Sequence, residues 1–337
     1  MNQKSHTRPE PPLLEVCKLS RSFKTRPGWF GNDEPGFAAL DGVSFSVAEG
    51  EIFGIVGESG SGKSTLARCI LQLPRPDHGQ VRLEGRDLSG LGSRQLRQAR
   101  HKLQIVFQDS GSSLSPRRTI FQSLAEPLEQ FEPGARPEFP QRCRLALEQV
   151  GLDAELLPRL PHQLSSGQKQ RVALARAIIA GPSIIVADEV VSSLDVSVQA
   201  RMLELISELR REKGIAFLFI SHDLSVIAQV ADRVAVMYRG RIVESGPAKA
   251  VFGKPAHPYT RALLEAIPDP DPDVPFNASL APDIQNRQQA PGCRFATRCP
   301  RVFRACLDTA PGDTRLEDHP EHHVECLLYE TARENSQ

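Results

Sequence analysis

The stretch GESGSGKST, Gly57 to Thr65, restricts this chain more than any other part of it. It fits the pattern G-x-x-x-x-G-K-[ST], with Gly57, Gly62, Lys63 and Ser64 in the fixed places. An apolar strand-like run, EIFGIV, precedes it, and STLARCILQL, with apolar residues at helical spacing, follows. Glycines let backbone N–H groups curl around phosphate oxygens at a helix N-terminus, so Ser59, Gly60, Ser61 and Thr65 join the fixed residues as a phosphate cradle. Lys63 offers a point charge to β and γ phosphates, and Ser64 offers a hydroxyl to Mg²⁺. The plainer reading is a glycine-rich turn that binds nothing. Chance matches seldom also fall between a strand and a helix, which favours the phosphate site.

The remaining pattern is that of an α/β protein. SIIVADE and IAFLFISHD are short apolar runs, each preceded by a helical stretch, as in strands buried on both faces of a parallel sheet. LLEVCKLSRSF and LDGVSFSVAEGEIFGIVG alternate apolar and polar residues, which predicts several short strands near the N-terminus. From about Asp109 to Gln170 the pattern is helical, broken by a proline-rich insert, EPGARPEFP, expected to be a surface loop. RVAVMYRGRIVESG predicts two more strands around a turn at Arg239 and Gly240. After HPYTRALLEAIP comes a Pro- and Asp-rich segment that reads as an extended linker, and a small cysteine-bearing module ends the chain. No internal repeat is visible.

Lys plus Arg and Asp plus Glu number 41 each, so no net field recruits nucleic acid or an acidic membrane surface. The start, MNQKSHTRPEPP, lacks the apolar core of a secretory signal, and no apolar run approaches the roughly 20 residues that span a bilayer. A cytosolic protein is expected. In that reducing compartment Cys17, Cys69 and Cys143 read as small buried hydrophobes.

With a phosphate loop upstream, the strand IIVAD has a chemical use. Asp188 at its end can face the phosphates and hold Mg²⁺ through water, and Glu189 beyond it can polarise an attacking water. Taken alone, an acidic pair at a strand end more often caps a turn.

LSSGQKQR, ahead of that strand, resembles the signature of ATP-binding cassette ATPases, usually LSGGQ, which no other phosphate-loop class carries. The resemblance runs from about Leu13 to Ile267. It implies a phosphate-loop NTPase fold with a mostly parallel core sheet, an antiparallel β flank and a helical subdomain. It implies two cassettes packed head to tail, so that Ser165, Ser166, Gly167 and Gln168 of one chain close over ATP held by the other. Other family positions fall in order. Phe23 matches the aromatic residue that stacks on adenine, its alternative being a core residue of the first strand. Gln108 matches a glutamine that touches Mg²⁺, Asp195 an aspartate that crosses the dimer interface, and His222 a histidine on the γ-phosphate. Two departures stand out: Ser166 replaces the first glycine of the signature pair, and Val190 replaces the proline that commonly follows the catalytic glutamate. They predict a slower composite site.

GKPAHPYTRALLEAIP, a linker and GCRFATRCP are similar to the C-terminal extension of ATPases that serve dipeptide and oligopeptide importers, a group that includes nickel, glutathione and oligosaccharide importers. SLSPRRT is similar to the F-type of two paralogous ATPases that pair there. The resemblance implies ATP and Mg²⁺ as ligands, and a heterodimer with the paralogue. It also implies two transmembrane permease subunits, an external substrate-binding protein met indirectly, no nucleic acid, and a peripheral place on the cytoplasmic face of the inner membrane. The expected division is a flexible N-terminus (1–12), a cassette (13–265, helical subdomain about 109–169), a linker (266–292) and the cysteine module (293–337). A cassette acting on ribosomes or DNA is the rival of another class, but such proteins usually carry two cassettes or a long coiled-coil insertion, and neither is present.

Cys293, Cys299, Cys306 and Cys326 follow a C-x₅-C-x₆-C-x₁₉-C spacing, unlike the tight pairs of a zinc ribbon. Zinc or an iron–sulfur cluster, buried free thiols, and a disulfide, which the cytosol disfavours, are the readings, and the family resemblance adds weight to a [4Fe–4S] cluster. His319, His322 and His323 in DHPEHH are expected on a solvated loop.

Overall fold

Two sheets grow from the two kinds of strand pattern. In this computed structural model, residues 11–23, 37–108, 113–192, 194–267 and 291–334 are described. The expected flexible N-terminus and the linker therefore lie largely outside the described residues, as does the start of the helical subdomain. The alternating strands β1 (Leu14–Phe23) and β2 (Phe37–Val47) pair antiparallel, with Leu14 opposite Val47 and Phe23 opposite Phe37. After β3 (Ile52–Val56), strands β4 (His78–Leu83) and β5 (Arg86–Asp87) complete this first sheet in the order β2-β1-β4-β5.

The apolar runs build the second sheet. β3, β6 (Leu103–Val106), β7 (Ile184–Asp188), β8 (Ala216–Ile220) and β9 (Arg233–Tyr238) are parallel neighbours in the order β9-β3-β8-β7-β6. Every residue of β3, β7 and β8 is buried, as unbroken apolar runs require. Successive side chains of a strand point to opposite faces, and the cores divide accordingly. Ile185, Phe217 and Phe219 pack into a cluster with the helices, while Ile184, Val186 and Leu218 pack into one shared with Leu14, Val16 and Val47 of the first sheet. Each such side chain contributes about 1.5–3 kcal/mol on burial.

The helical stretch folds as helices Ile120–Phe131, Phe139–Gln149 and Ser166–Ile178, the last leading back into β7. Thr119 starts the first of these through a reciprocal cap with Gln122. Its Ile120, Leu124 and Leu128, at helical spacing, bury one face in a cluster that includes Cys143, Leu147 and Val172. The proline-rich insert is not a plain loop: Pro133–Glu138 forms a 3₁₀ turn and Phe139, buried, opens the next helix. Pro133 and Pro140 stand at first-turn positions, where the missing N–H has no helical partner anyway, while Pro137 lies inside the 3₁₀ turn. Cys69 and Cys143 are buried as expected, and Cys17 half-buried.

β9 turns at Arg239 and Gly240 into β10 (Arg241–Pro247), followed by helix Pro258–Glu265. The C-terminal strands β11 (Thr314–Leu316) and β12 (His319–Val324) then add to β10, extending the second sheet to eight strands. DHPEHH is thus largely a strand rather than a solvated loop, and its histidines separate by face. His319 is exposed, and His323 meets Asp313 at 2.9 Å. His322 is buried, with Nε2 2.7 Å from Glu244 Oε1. Glu244, also buried, accepts from the N–H groups of Ala256 (2.7 Å) and His257 (2.9 Å). No helix among the described residues is long and apolar enough to cross a membrane.

Candidate nucleotide site

Adjacent parallel strands end on a common edge, and this edge collects the polar residues. Gly57 follows β3, His222 lies just beyond β8, Asp188 and Glu189 close β7, and Gln108 lies just beyond β6. The loop from Gly57 to Gly62 needs its glycines. At Gly57 φ is +151°, and a Cβ would stand 2.2 Å from the Met237 carbonyl oxygen; at Gly62 φ is +108°, with Ala39 O at 2.4 Å. Lys63 opens helix Lys63–Ile70, and its ammonium, folded back over the loop, donates to Gly57 O (2.6 Å) and Glu58 O (2.9 Å). Burial lowers the Lys63 pKa, opposed by the carboxylates of Glu189, Asp188 and Glu58.

Ser64 Oγ donates to Asp188 Oδ1 at 3.4 Å. Burial, then the neighbouring Glu189 charge, raises the Asp188 pKa, while the Ser64 hydrogen bond, Arg68 and Lys63 pull it down. A buried carboxylate beside a serine hydroxyl, short of positive charge, fits a hard divalent cation with oxygen ligands such as Mg²⁺.

Glu189 adopts φ +52°, unusual for a residue with a side chain. Its N–H donates to Ile220 O at 2.9 Å, which ties the bend to the end of β8. Gln108 Nε2 donates to Glu189 Oε2 at 2.6 Å, and His222 Nδ1 lies 3.4 Å from Oε1. The carboxylate is thereby fixed from both sides, a geometry that can align a water for in-line attack.

The signature residues sit elsewhere in the fold. Ser165 caps helix Ser166–Ile178: its hydroxyl accepts from Gln168 N at 3.3 Å, and Gln168 Oε1 accepts from Ser165 N at 3.0 Å. Ser165 and Ser166 are exposed. Gly167 lets this helix end meet Val198, since a Cβ there would lie 2.9 Å from Val198 Cγ1. Asp195 caps helix Val196–Lys213, accepting from Val198 N (3.0 Å) and Ser197 Oγ (2.8 Å), bonds that lower its pKa. Beside it Val196 is 84% exposed. Phe23, at the end of β1, is 44% exposed, not a core residue, with the Arg21 guanidinium 5.3 Å from its ring centre. Among the described residues, no hydrogen bond joins Phe23, Asp195 or Ser165 to Gln168 with the strand-edge group. Val190 is buried beside Val106, Leu174 and Phe217.

The four C-terminal cysteines are free thiols; burial raises the pKa of Cys293 and Cys299 and pushes Cys326 to about 11, and neighbouring thiols add to each of these shifts. Among the described residues no group of three or more Cys, His, Asp or Glu side chains is arranged to hold a metal ion. As placed, the thiols are neighbours but not a cluster cage.

Two residues that sequence reasoning passed over touch the loop. Glu58 N donates to Tyr259 Oη at 2.9 Å, and the Glu58 carboxylate receives both terminal nitrogens of Arg298, each at 2.9 Å. They lie more than two hundred positions along the chain from Glu58 (201 and 240), so no local pattern pointed to them.

Comparison with known proteins agrees with this geometry. Residues 40–192 match the family described as ABC transporter, and 243–306 match the oligopeptide/dipeptide transporter C-terminal region. A Brucella ovis protein named as a peptide import ATP-binding protein is 44% identical over 320 residues, covering 94% of this chain and 98% of its own. The oligopeptide transport ATP-binding protein OppF of Escherichia coli K12 is 42% identical over 322 residues, covering 94% and 96%. A dimeric ATP-binding cassette in a post-hydrolysis state with ADP and Pi is 29% identical, with a TM-score of 0.63, over 70% of this chain and 98% of that one. Phosphate loop, signature, strand-end carboxylates and C-terminal extension, in one order along one chain, have a common explanation: the chain belongs to the ABC transporter ATP-binding proteins, in the group that carries the oligopeptide/dipeptide transporter C-terminal region.

Proposed function

We propose that this chain is the ATP-hydrolysing subunit of an importer for dipeptides or oligopeptides. The observation that carries the reading is the Glu189 carboxylate, held by Gln108 and His222 on the strand edge that also presents Lys63, Ser64 and Asp188. The loop amides from Ser59 to Thr65 and the Lys63 ammonium bind the phosphates, and Phe23 stacks on the adenine. Ser64, Asp188 and Gln108 hold Mg²⁺, which supplies charge neutralisation for the β and γ phosphates when bound. Glu189 orients and polarises the attacking water, and His222 contacts the γ-phosphate.

Ser165, Ser166, Gly167, Gln168 and Asp195 serve ATP bound to a partner cassette, a paralogous subunit in a heterodimer. The exposure of Ser165, Ser166 and Val196 supports that reading, for these residues stand free where a partner would close. Closure of the pair pulls on two transmembrane permease subunits at the cytoplasmic face of the inner membrane, while an external binding protein delivers cargo. Nucleic acid has no part in it. The names of the relatives and the C-terminal match support peptides as cargo, ahead of nickel, glutathione or oligosaccharides. For the four cysteines the [4Fe–4S] reading rests on the family resemblance, and an anaerobically purified chain that is colourless and iron-free removes it.

The test of the ATP site is steady-state hydrolysis by the purified chain, alone and with its paralogue. We expect little turnover alone, a rise on mixing, and its loss with Glu189→Gln. Equal turnover alone and mixed would contradict the shared site.

A further inference from the structure

Glu58 has each of its polar groups engaged by a different part of the molecule. Its N–H donates to Tyr259 on helix Pro258–Glu265, its carbonyl accepts from Lys63, and its carboxylate takes the fork of Arg298. A two-point guanidinium–carboxylate pair is among the strongest and most directional contacts a protein makes. Arg298 is itself well buried, its side chain 6% exposed and its guanidinium 5.9 Å from the ring centres of Tyr238 and Phe295. Tyr238, Tyr259 and Phe295 pack on one another with ring centres 4.6 to 5.4 Å apart, a rigid floor beneath the guanidinium.

A second arginine of the same short stretch, CRFATRC, reaches the loop by another route. Arg294 donates to the carbonyl of Arg239 and to the carboxylate of Asp41. Gly240, next to Arg239, donates its N–H to Ser61 O at 2.8 Å. The C-terminal extension therefore bears on the phosphate loop at Glu58 directly and at Ser61 through the β9–β10 turn.

The Glu58 charge also matters to chemistry, because it is one of three carboxylates whose fields act on the Lys63 ammonium. Bound to Arg298 it is neutralised; released, it would compete with phosphate for that lysine. We propose that Arg298 is a positioning residue of the ATP site, which neutralises Glu58 and so keeps the phosphate loop and Lys63 available to nucleotide; this rests on the phosphate-site reading given above. The extension that distinguishes this group of cassettes then belongs to the nucleotide-binding machinery.

The test is equilibrium binding of MgATP to the full chain by calorimetry, with KM and kcat measured beside its paralogue. Arg298→Gln is expected to bind about tenfold more weakly, within the usual coupling of a partly buried charged pair, with KM raised and kcat little changed. Arg298→Lys keeps the charge but not the fork, so it should fall between native and Gln. Adding Glu58→Gln to Arg298→Gln removes the charge that had lost its partner and should recover most of the affinity. A merely structural role predicts no such recovery, so a double variant as weak as Arg298→Gln overturns the proposal, as does unchanged affinity in Arg298→Gln. Should Arg298→Gln fail to fold, Arg298→Lys decides alone: affinity equal to native overturns the proposal. A native chain that binds no MgATP would instead remove the phosphate-site reading itself.

Discussion

At Glu189 the backbone enters the left-handed region, which costs a residue with a side chain about 1–3 kcal/mol. The hydrogen bond from its N–H to Ile220 O and the anchors on its carboxylate offset that cost and aim the side chain along the sheet edge. Glu189→Gln preserves shape and one acceptor oxygen but neither charge nor basicity. It should lower turnover at least about a hundredfold with MgATP affinity kept, as loss of a general base does; comparable loss of binding would mean that the residue's role is structural. Asp188 gives a prediction of opposite sign for stability and activity. Its raised pKa means that the folded state disfavours the ionised form, so stability from this group falls as pH rises through its titration. Asp188→Asn, which keeps an acceptor for Ser64, should raise the melting temperature of the metal-free chain at neutral pH and abolish hydrolysis. A lower melting temperature would show that the charge is compensated after all. Ser166 is exposed at the start of its helix, so Ser166→Gly tests the signature without disturbing a core, and faster turnover of the paired cassettes is expected. Unchanged turnover would clear Ser166 of any effect.

Among the elements, the helix Pro258–Glu265 joins the extension to the cassette, and its start depends on a buried histidine. His257 Nδ1 accepts from Tyr259 N at 3.0 Å, and burial lowers the His257 pKa to about 4, with Glu244 opposing. A folded-state pKa below the unfolded value of about 6.5 gives stability that is present above pH 6.5 and lost as pH falls toward 4, about 3 kcal/mol in all. His257→Asn keeps a side-chain acceptor at the cap and removes the titration. The variant's unfolding free energy should therefore fall less steeply between pH 6.5 and 4 than that of the native chain; equal slopes would place the acid sensitivity elsewhere. Legibility also divides at this scale. β3, β7 and β8 and the loop after β3 were readable because their signals are local: apolar runs of strand length and glycines at fixed offsets. β12 was misjudged because DHPEHH carries no strand pattern of its own and is ordered by pairing with β10 and by Glu244. The proline-rich insert departs from expectation in the same manner, Pro133 and Pro140 marking helix starts rather than a loop.

For the whole molecule, the order of motifs was more informative than any one of them. Asp188 and Glu189 alone are a strand-end acidic pair, and they gained meaning from the loop upstream and the signature between. What the order of motifs did not disclose is the contact between Arg298 and Glu58, which depends on β10, the helix Pro258–Glu265 and the extension folding back onto the loop. ATP hydrolysis at Glu189 is expected to drive import of peptides, and the decisive experiment is uptake of labelled di- and oligopeptides by source cells that carry either the native chain or Glu189→Gln at matched expression. Loss of uptake with the variant is the predicted result. Undiminished uptake would contradict it.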